Sequence, residues 1–242
     1  MENMIGKKSL TILAISLSLG ASAQFGLSAG PALTKSFGAP KMLAGFHIGG
    51  EVSQDDASSY FARFSYFPGG LESTDYQVAL IDNATNNFAF DPLTGFQLLT
   101  RMNSTKTNYT KLEGGIRYYL IDGYETGFSV YGGSKIVIGF NKVKADYTPY
   151  NEAKYRLTDG LAKSGTAFSL GFGLQGGLKY GIVGLGTVFF DLGVDFLLTG
   201  SNSNDVPYYS NYLYRVQDGT VVAYRQPTFT FSLGFRKDLF VR

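Results

Sequence analysis

The chain has 242 residues, among them 31 glycines, 20 phenylalanines, 17 tyrosines and only 7 prolines. That length fits one all-β domain, and so much glycine weakens helices while aromatics and glycine suit twisted strands. A formal net charge of +2 gives no argument for nucleic acid, and the absence of cysteine excludes disulfides, thiolate metal sites and a Cys nucleophile.

Residues 1–23 read as a cleavable signal peptide. Lys7 and Lys8 precede an apolar run at 10–19, which ends in Gly20-Ala21-Ser22-Ala23. A basic start, a short apolar core and an A-x-A site are the marks of export. The run is too short for a membrane-spanning helix, which needs about 20 residues. The alternative is a buried core helix. Cleavage is expected after Ala23, leaving 24–242 as the mature domain.

From there the chain alternates between apolar and small or polar residues with period two, the pattern of a strand with two unlike faces. Phe25, Leu27, Ala29 and Leu33 mark the first strand; Met42, Ala44, Phe46, Ile48 and Val52 the second; Tyr60, Ala62, Phe64 and Tyr66 the third. Leu112, Ile116, Tyr118 and Leu120 mark the fourth, and Phe128, Val130, Ile136, Ile138 and Phe140 the fifth. The sixth is the clearest: Phe168, Leu170, Phe172, Leu174, Leu178 and Tyr180 share one face, while Ser169, Gly171, Gly173, Gln175, Gly177 and Lys179 share the other. Val188, Phe190, Leu192, Val194, Phe196 and Leu198 mark the seventh, and Phe229, Phe231, Leu233 and Phe235 the eighth. A small-residue polar face suits the crowded interior of a narrow barrel better than a solvated surface. The fold class expected is therefore all-β, an eight-stranded antiparallel up-and-down transmembrane barrel with long extracellular loops. Mean hydropathy near zero does not oppose this, because alternating faces average out.

Connections at 54–58, 122–126 and 181–186 read as tight turns, and those at 68–108, 141–165 and 200–226 as long outer loops, with a brief one at 36–41. Centring the tight turns on Ala57, Tyr124 and Val183 sets Glu51 opposite Arg63, Glu113 opposite Lys135, Arg117 opposite Tyr131 and Gln175 opposite Asp191. Other centrings remain open. The inward charge network then comprises Glu51, Arg63, Lys111, Glu113, Arg117, Lys135, Asp191 and Asp195, with Lys179 and Arg236. Charges in a closed interior must pair, so the set reads as a salt-bridged plug, or alternatively as an ion pathway or gate.

The candidate contact surface lies in the loops. Tyr147, Tyr150 and Tyr155 gather in one, and Tyr208, Tyr209, Tyr212, Tyr214 and Tyr224 in the last, where Asp218-Gly219 signals a hairpin. Clustered tyrosine is typical of contact surfaces. The stretches Val78–Ile81, Phe88-Ala89-Phe90 (Phe88 and Phe90 above all) and Phe96–Leu99 are too apolar for a free loop and read as a self-packed lid or a partner site. His47 is the only histidine and lies inward, which argues against a hydrolytic triad and against zinc; neither enzyme activity nor a cofactor is expected. The oxygen-rich stretches 82–87 and 158–160 lack EF-hand spacing.

Phe25-Gly-Leu-Ser-Ala-Gly, Gly45-Phe-His-Ile-Gly-Gly, Leu112-Glu-Gly-Gly-Ile-Arg-Tyr-Tyr and Phe231-Ser-Leu-Gly-Phe-Arg, after a leader ending Ala21-Ser-Ala-Gln, resemble the PorT-like small outer-membrane barrels. More loosely they are similar to the OmpA/OmpX-type eight-stranded barrels. Only residues 237–242 follow the last strand, so no peptidoglycan-binding domain of the OmpA kind is expected. The resemblance implies a non-enzymatic protein of the bacterial outer membrane, embedded in lipid. In some relatives it implies an accessory to protein secretion, with other outer-membrane proteins as partners.

Overall fold

The computed structural model describes residues 24–37, 39, 41–121, 124, 127–158, 164–200, 214–217, 220–223 and 227–239. Residues 1–23, the expected leader, lie outside them. Among the described residues there are eleven strands and no helix: β1 (Phe25–Ser36), β2 (Leu43–Asp55), β3 (Ser58–Asp82), β4 (Leu99–Tyr119), β5 (Gly127–Tyr147), β6 (Tyr155–Leu157), β7 (Ser164–Ile182), β8 (Gly186–Gly200), β9 (Tyr214–Gln217), β10 (Thr220–Ala223) and β11 (Thr228–Asp238).

Eight of these close a ring of antiparallel ladders in the order β1-β2-β3-β4-β5-β7-β8-β11, with β11 returning to β1. Closure removes the unpaired sheet edges. The alternation assigns the faces as expected. Leu27, Phe46, Ile48, Tyr60, Leu112, Ile136, Phe172, Leu174 and Leu192 stand exposed outside, while Arg63, Lys111, Glu113, Lys135, Asp191 and Asp195 are buried inside. Along β7 the outward apolar positions run from Phe168 to Tyr180. That is about 40 Å of strand, or about 30 Å of height once a barrel tilt near 40° is applied.

The register differs from the expected pairs by two residues at each tight turn. Glu51 opposes Phe61, Glu113 opposes Val137, Arg117 opposes Gly133 and Gln175 opposes Gly193. Each displacement has a local cause. The Asp55 carboxylate accepts from the Ala57 amide at 2.9 Å and the Ser58 hydroxyl at 2.8 Å, which centres the first turn between Asp56 and Ala57. A bulge at 53–55 moves it further. Tyr124 leaves its turn to enter the barrel, and Gly184, at φ +74°, carries the apex of the third turn. A slip of two keeps every side chain on its face, so the inward set is unchanged.

The larger correction concerns the long loops. Most of 68–108 is strand, since β3 continues to Asp82 and β4 begins at Leu99; β5 likewise continues to Tyr147. β3, β4 and β5 thus rise past the barrel as a bulged blade, with β6 paired to the end of β3. This blade owns a second core of Val78, Leu80, Ala89, Met102, Tyr147 and Leu157, and that burial is what holds the extension straight. β9 and β10 pair across 218–219 as the Asp-Gly signal implied, and among the described residues they form a separate two-stranded sheet.

Candidate functional site

Two regions gather the residues singled out by sequence: the filled lumen and the tip of the blade. In the lumen all ten ionisable residues expected to point inward are buried. Six are cations and four are carboxylates, and they separate into two groups.

Nearer the tight turns, Glu51 accepts from Ser59 Oγ at 2.5 Å, from the Tyr119 hydroxyl, and from Arg117 at 2.7 Å, with Arg236 at 3.1 Å. Asp191 accepts from Arg117 at 3.0 Å and also from Arg63 and the Tyr131 hydroxyl. Arg117 therefore joins the two carboxylates. Its guanidinium lies over the Phe61 ring at 4.6 Å and the Tyr131 ring at 5.0 Å. Such stacking shields a buried cation from the full cost of desolvation. Tyr124 folds back from its turn; its carbonyl accepts from Lys179 at 2.5 Å and Arg236 at 3.1 Å, and its ring carries Arg236 at 4.0 Å. Tyr119, Tyr124 and Tyr131 together form an aromatic floor.

Further along the barrel lies a second cluster. Lys111 reaches Glu113 at 3.0 Å, Asp195 at 2.9 Å and the Thr230 hydroxyl at 2.8 Å. Lys135 bridges the same carboxylates, Glu113 directly and Asp195 at 2.7 Å. Above it Ala32, Leu43, Phe67 and Tyr109 form an apolar layer, with Phe67 and Tyr109 stacked at 5.9 Å. A floor, two ion clusters and an apolar ceiling in succession leave the barrel filled rather than open.

Sequence reasoning placed these charges but sought their partners on adjacent strands. Apart from Lys135 and Lys111 with Glu113 and Arg236 with Asp238 on its own strand, the bridges join strands that are not neighbours: β3 to β8 and β4 to β8 across the lumen, and β5 to β8, β4 to β2 and β11 to β2 past one intervening strand. Sequence reasoning missed the inward hydroxyls Ser59 and Tyr119, and set Tyr131 opposite Arg117 without reading its hydroxyl as a partner of Asp191. Period-two parity places Ser59 and Tyr119 inward, beside the outward Tyr60 and Tyr118. Tyr124 had no such signal, because a turn residue has no assigned face.

His47 lies between Gly30 and Ser65 in register. Its ring packs 5.8 Å from Phe189, and no hydrogen bond joins it to Ser65. Among the described residues no group of three or more His, Asp or Glu side chains has the geometry of a metal site. The Asp82 carboxylate, in the oxygen-rich stretch, is turned onto the amides of Ala84 and Thr85 at 2.8 and 3.2 Å.

At the blade, the expected contact tyrosines divide. Tyr147 is a core residue of the blade and no contact surface, a correction that follows from its position opposite Met102. Tyr150 and Tyr155 are half-buried against the same core. Tyr208, Tyr209, Tyr212 and Tyr224 lie outside the described residues, and Tyr214 opens β9. The segment 83–98 forms an ordered cap: Ala89 exchanges backbone bonds with Leu80 and Leu98, and Asp91 closes a turn on Leu93 and Gly95. Outward from it project Phe88, Phe90, Phe96 and Leu93, the last 94% exposed. The cap thus packs one face on the blade core and exposes an apolar ridge on the other.

No family model matches the chain, and no curated protein matches it. Among solved structures it is similar to Neisserial surface protein A at 11% identity, covering 89% of this chain and 97% of that one, with a TM-score of 0.49. It is also similar to a major outer membrane protein from Thermus thermophilus at 13% identity, with 89% and 100% covered and a TM-score of 0.48. For the N-terminal β-barrel domain of Pseudomonas aeruginosa OprF the values are 11%, 89%, 100% and 0.40.

Proposed function

We propose that the protein is a bacterial outer-membrane barrel that conducts nothing and enzymatically changes nothing, and that it acts by presenting the blade tip to a protein partner in an outer-membrane assembly. The single observation that carries this reading is the contrast between the two ends of the molecule's chemistry. The lumen is filled by paired charges, while Phe88, Phe90, Leu93 and Phe96 stand exposed on an ordered cap. Four large apolar side chains on one rigid tip form the kind of patch that soluble surfaces avoid unless something covers it. Membrane embedding is supported by the outward apolar band, whose height of about 30 Å matches a bilayer's hydrocarbon core. The resemblance to PorT-like barrels adds an accessory role in protein secretion, and the leader at 1–23 the export route.

The experiment is purification of the native protein from detergent-solubilised membranes, beside a variant carrying Phe88→Ser, Phe90→Ser, Leu93→Ser and Phe96→Ser. A stoichiometric partner that is present with the wild type and lost from the variant supports the reading. Equal recovery from both, or a steady single-channel current from the wild type, overturns it; the current would favour a narrow pore gated by the interior charges.

A further inference from the structure

We infer that the outward face of β4, β5 and β7 just above the apolar band binds the phosphorylated headgroup of a membrane lipid through Lys106, Lys142 and Lys144. The inference rests on the membrane reading given above. Its basis is a lattice fixed by register. Thr110, Phe140 and Phe168 stand side by side in one row, Asn108, Lys142 and Thr166 in the next, and Lys106, Lys144 and Ser164 in the third. All lie on the outer face, alternating with the buried Thr107, Tyr109, Asn141 and Val143.

The lowest row is aromatic, with the Phe140 and Phe168 rings 5.4 Å apart. Aromatic residues flank the apolar band of outer-membrane barrels, so this row marks the band's edge. The two rows above are ammonium, amide and hydroxyl groups alone. Strands lie about 5 Å apart and rows about 7 Å, so three flexible lysine stems converge on a phosphate-sized volume.

The arrangement favours a bound anion. Lys106 directly faces Lys144 across the β4–β5 ladder, and like charges so placed repel. Among the described residues none of the three lysines forms an ion pair. Asp146, one step further out on β5, opposes Ser104 and makes none with Lys144. By contrast, Lys237 at the opposite rim donates to the carbonyls of Gly184 and Leu185 at 3.1 and 2.9 Å and is accounted for by its own chain. Lysine is an effective point-charge partner for phosphate, and basic clusters at the membrane surface hold anionic lipids.

The test places the full chain in phosphatidylcholine nanodiscs doped with phosphatidic acid or lipid A, and reads retained lipid by native mass spectrometry. The wild type is expected to retain both. The variant Lys106→Gln, Lys142→Gln, Lys144→Gln should lose roughly tenfold or more of that retention, and Lys237→Gln none. Should the triple variant not fold, Lys144→Gln alone relieves the like-charge pair, so it should fold at least as well and still lose retention severalfold. Equal retention by wild type and variants overturns the inference. So does displacement by millimolar inorganic phosphate, which would assign the lysines to a free anion. A chain that does not enter nanodiscs at all overturns the membrane reading itself, a result separable from loss of lipid by an inserted barrel.

Discussion

Arg63 on β3 and Asp191 on β8 meet across the lumen in a direct ion pair, although their strands lie four places apart around the ring of eight. Each has a second partner: Ser232 Oγ accepts from Arg63 at 3.3 Å, and Arg117 reaches Asp191 at 3.0 Å. The pair ties opposite walls together, which no cross-strand neighbour does. Removing the carboxylate by Asp191→Asn leaves two guanidiniums facing each other in a buried site, at an expected cost of about 3–5 kcal/mol. Arg63→Met combined with it should show a coupling of about 0.5–3 kcal/mol. The chain has no tryptophan, so urea unfolding should be followed by far-UV circular dichroism. Additive losses would show that the pair contributes nothing as a unit.

If the lumen is plugged as proposed, the second ion cluster should keep the barrel shut. Glu113 and Asp195 are the carboxylates that hold Lys111 and Lys135. Glu113→Gln with Asp195→Asn leaves two unpaired ammoniums in the waist, which can lower their energy only by admitting water and anions. In planar bilayers the wild type is expected to be silent and the double variant to show anion-preferring openings. A silent variant that still folds would mean the aromatic floor and apolar ceiling close the barrel without the charges.

Close strand approach sets a different limit. A Cβ on Gly133 would meet the Ile116 carbonyl oxygen at 1.8 Å, whereas one on Gly114, facing outward, has its nearest atom at 3.7 Å. Gly133→Ala must therefore push backbone apart and is expected to cost roughly 1–3 kcal/mol or more. Gly114→Ala should stay within about 0.5 kcal/mol of the wild type. The comparison is read from the shift in thermal midpoint of the two variants.

The β2–β3 turn should respond to acid. Asp55 is held below the ordinary carboxylate range because its carboxylate accepts from the Ser58 hydroxyl and the Ala57 amide. A depressed folded value means the contribution is present at neutral pH and lost as pH falls below the ordinary carboxylate range, about 4. Amide exchange at Ala57, relative to unstructured amides, should accelerate through that window in the wild type and be fast at all pH values in Asp55→Ala. Uniform protection of Ala57 down to strongly acidic pH would remove the carboxylate from the account of this turn.

What the sequence determined by itself was the assignment of faces. Period-two alternation distinguishes Phe172 from Gly173 without reference to any other strand, because successive side chains of a strand must point apart. For the same reason the ten inward charges could be named from parity alone, and that assignment withstood a two-residue slip in register at every tight turn. Tertiary structure decided everything that depends on distance in the chain. Partner choice among the charges follows barrel closure, which brings Arg63 to Asp191 across the lumen and Arg236 to Glu51 past the intervening β1, contacts that no local pattern describes. Strand length was decided in the same way. Residues 71–82 and 99–108 carry little of the alternation that marks the barrel wall, and they extend because Val78, Met102, Tyr147 and Leu157, distant in sequence, share one small core. That core turned Tyr147 from a surface candidate into a buried one and left Phe88 and Phe90 outside, since a cap with one face already packed has only the other to offer.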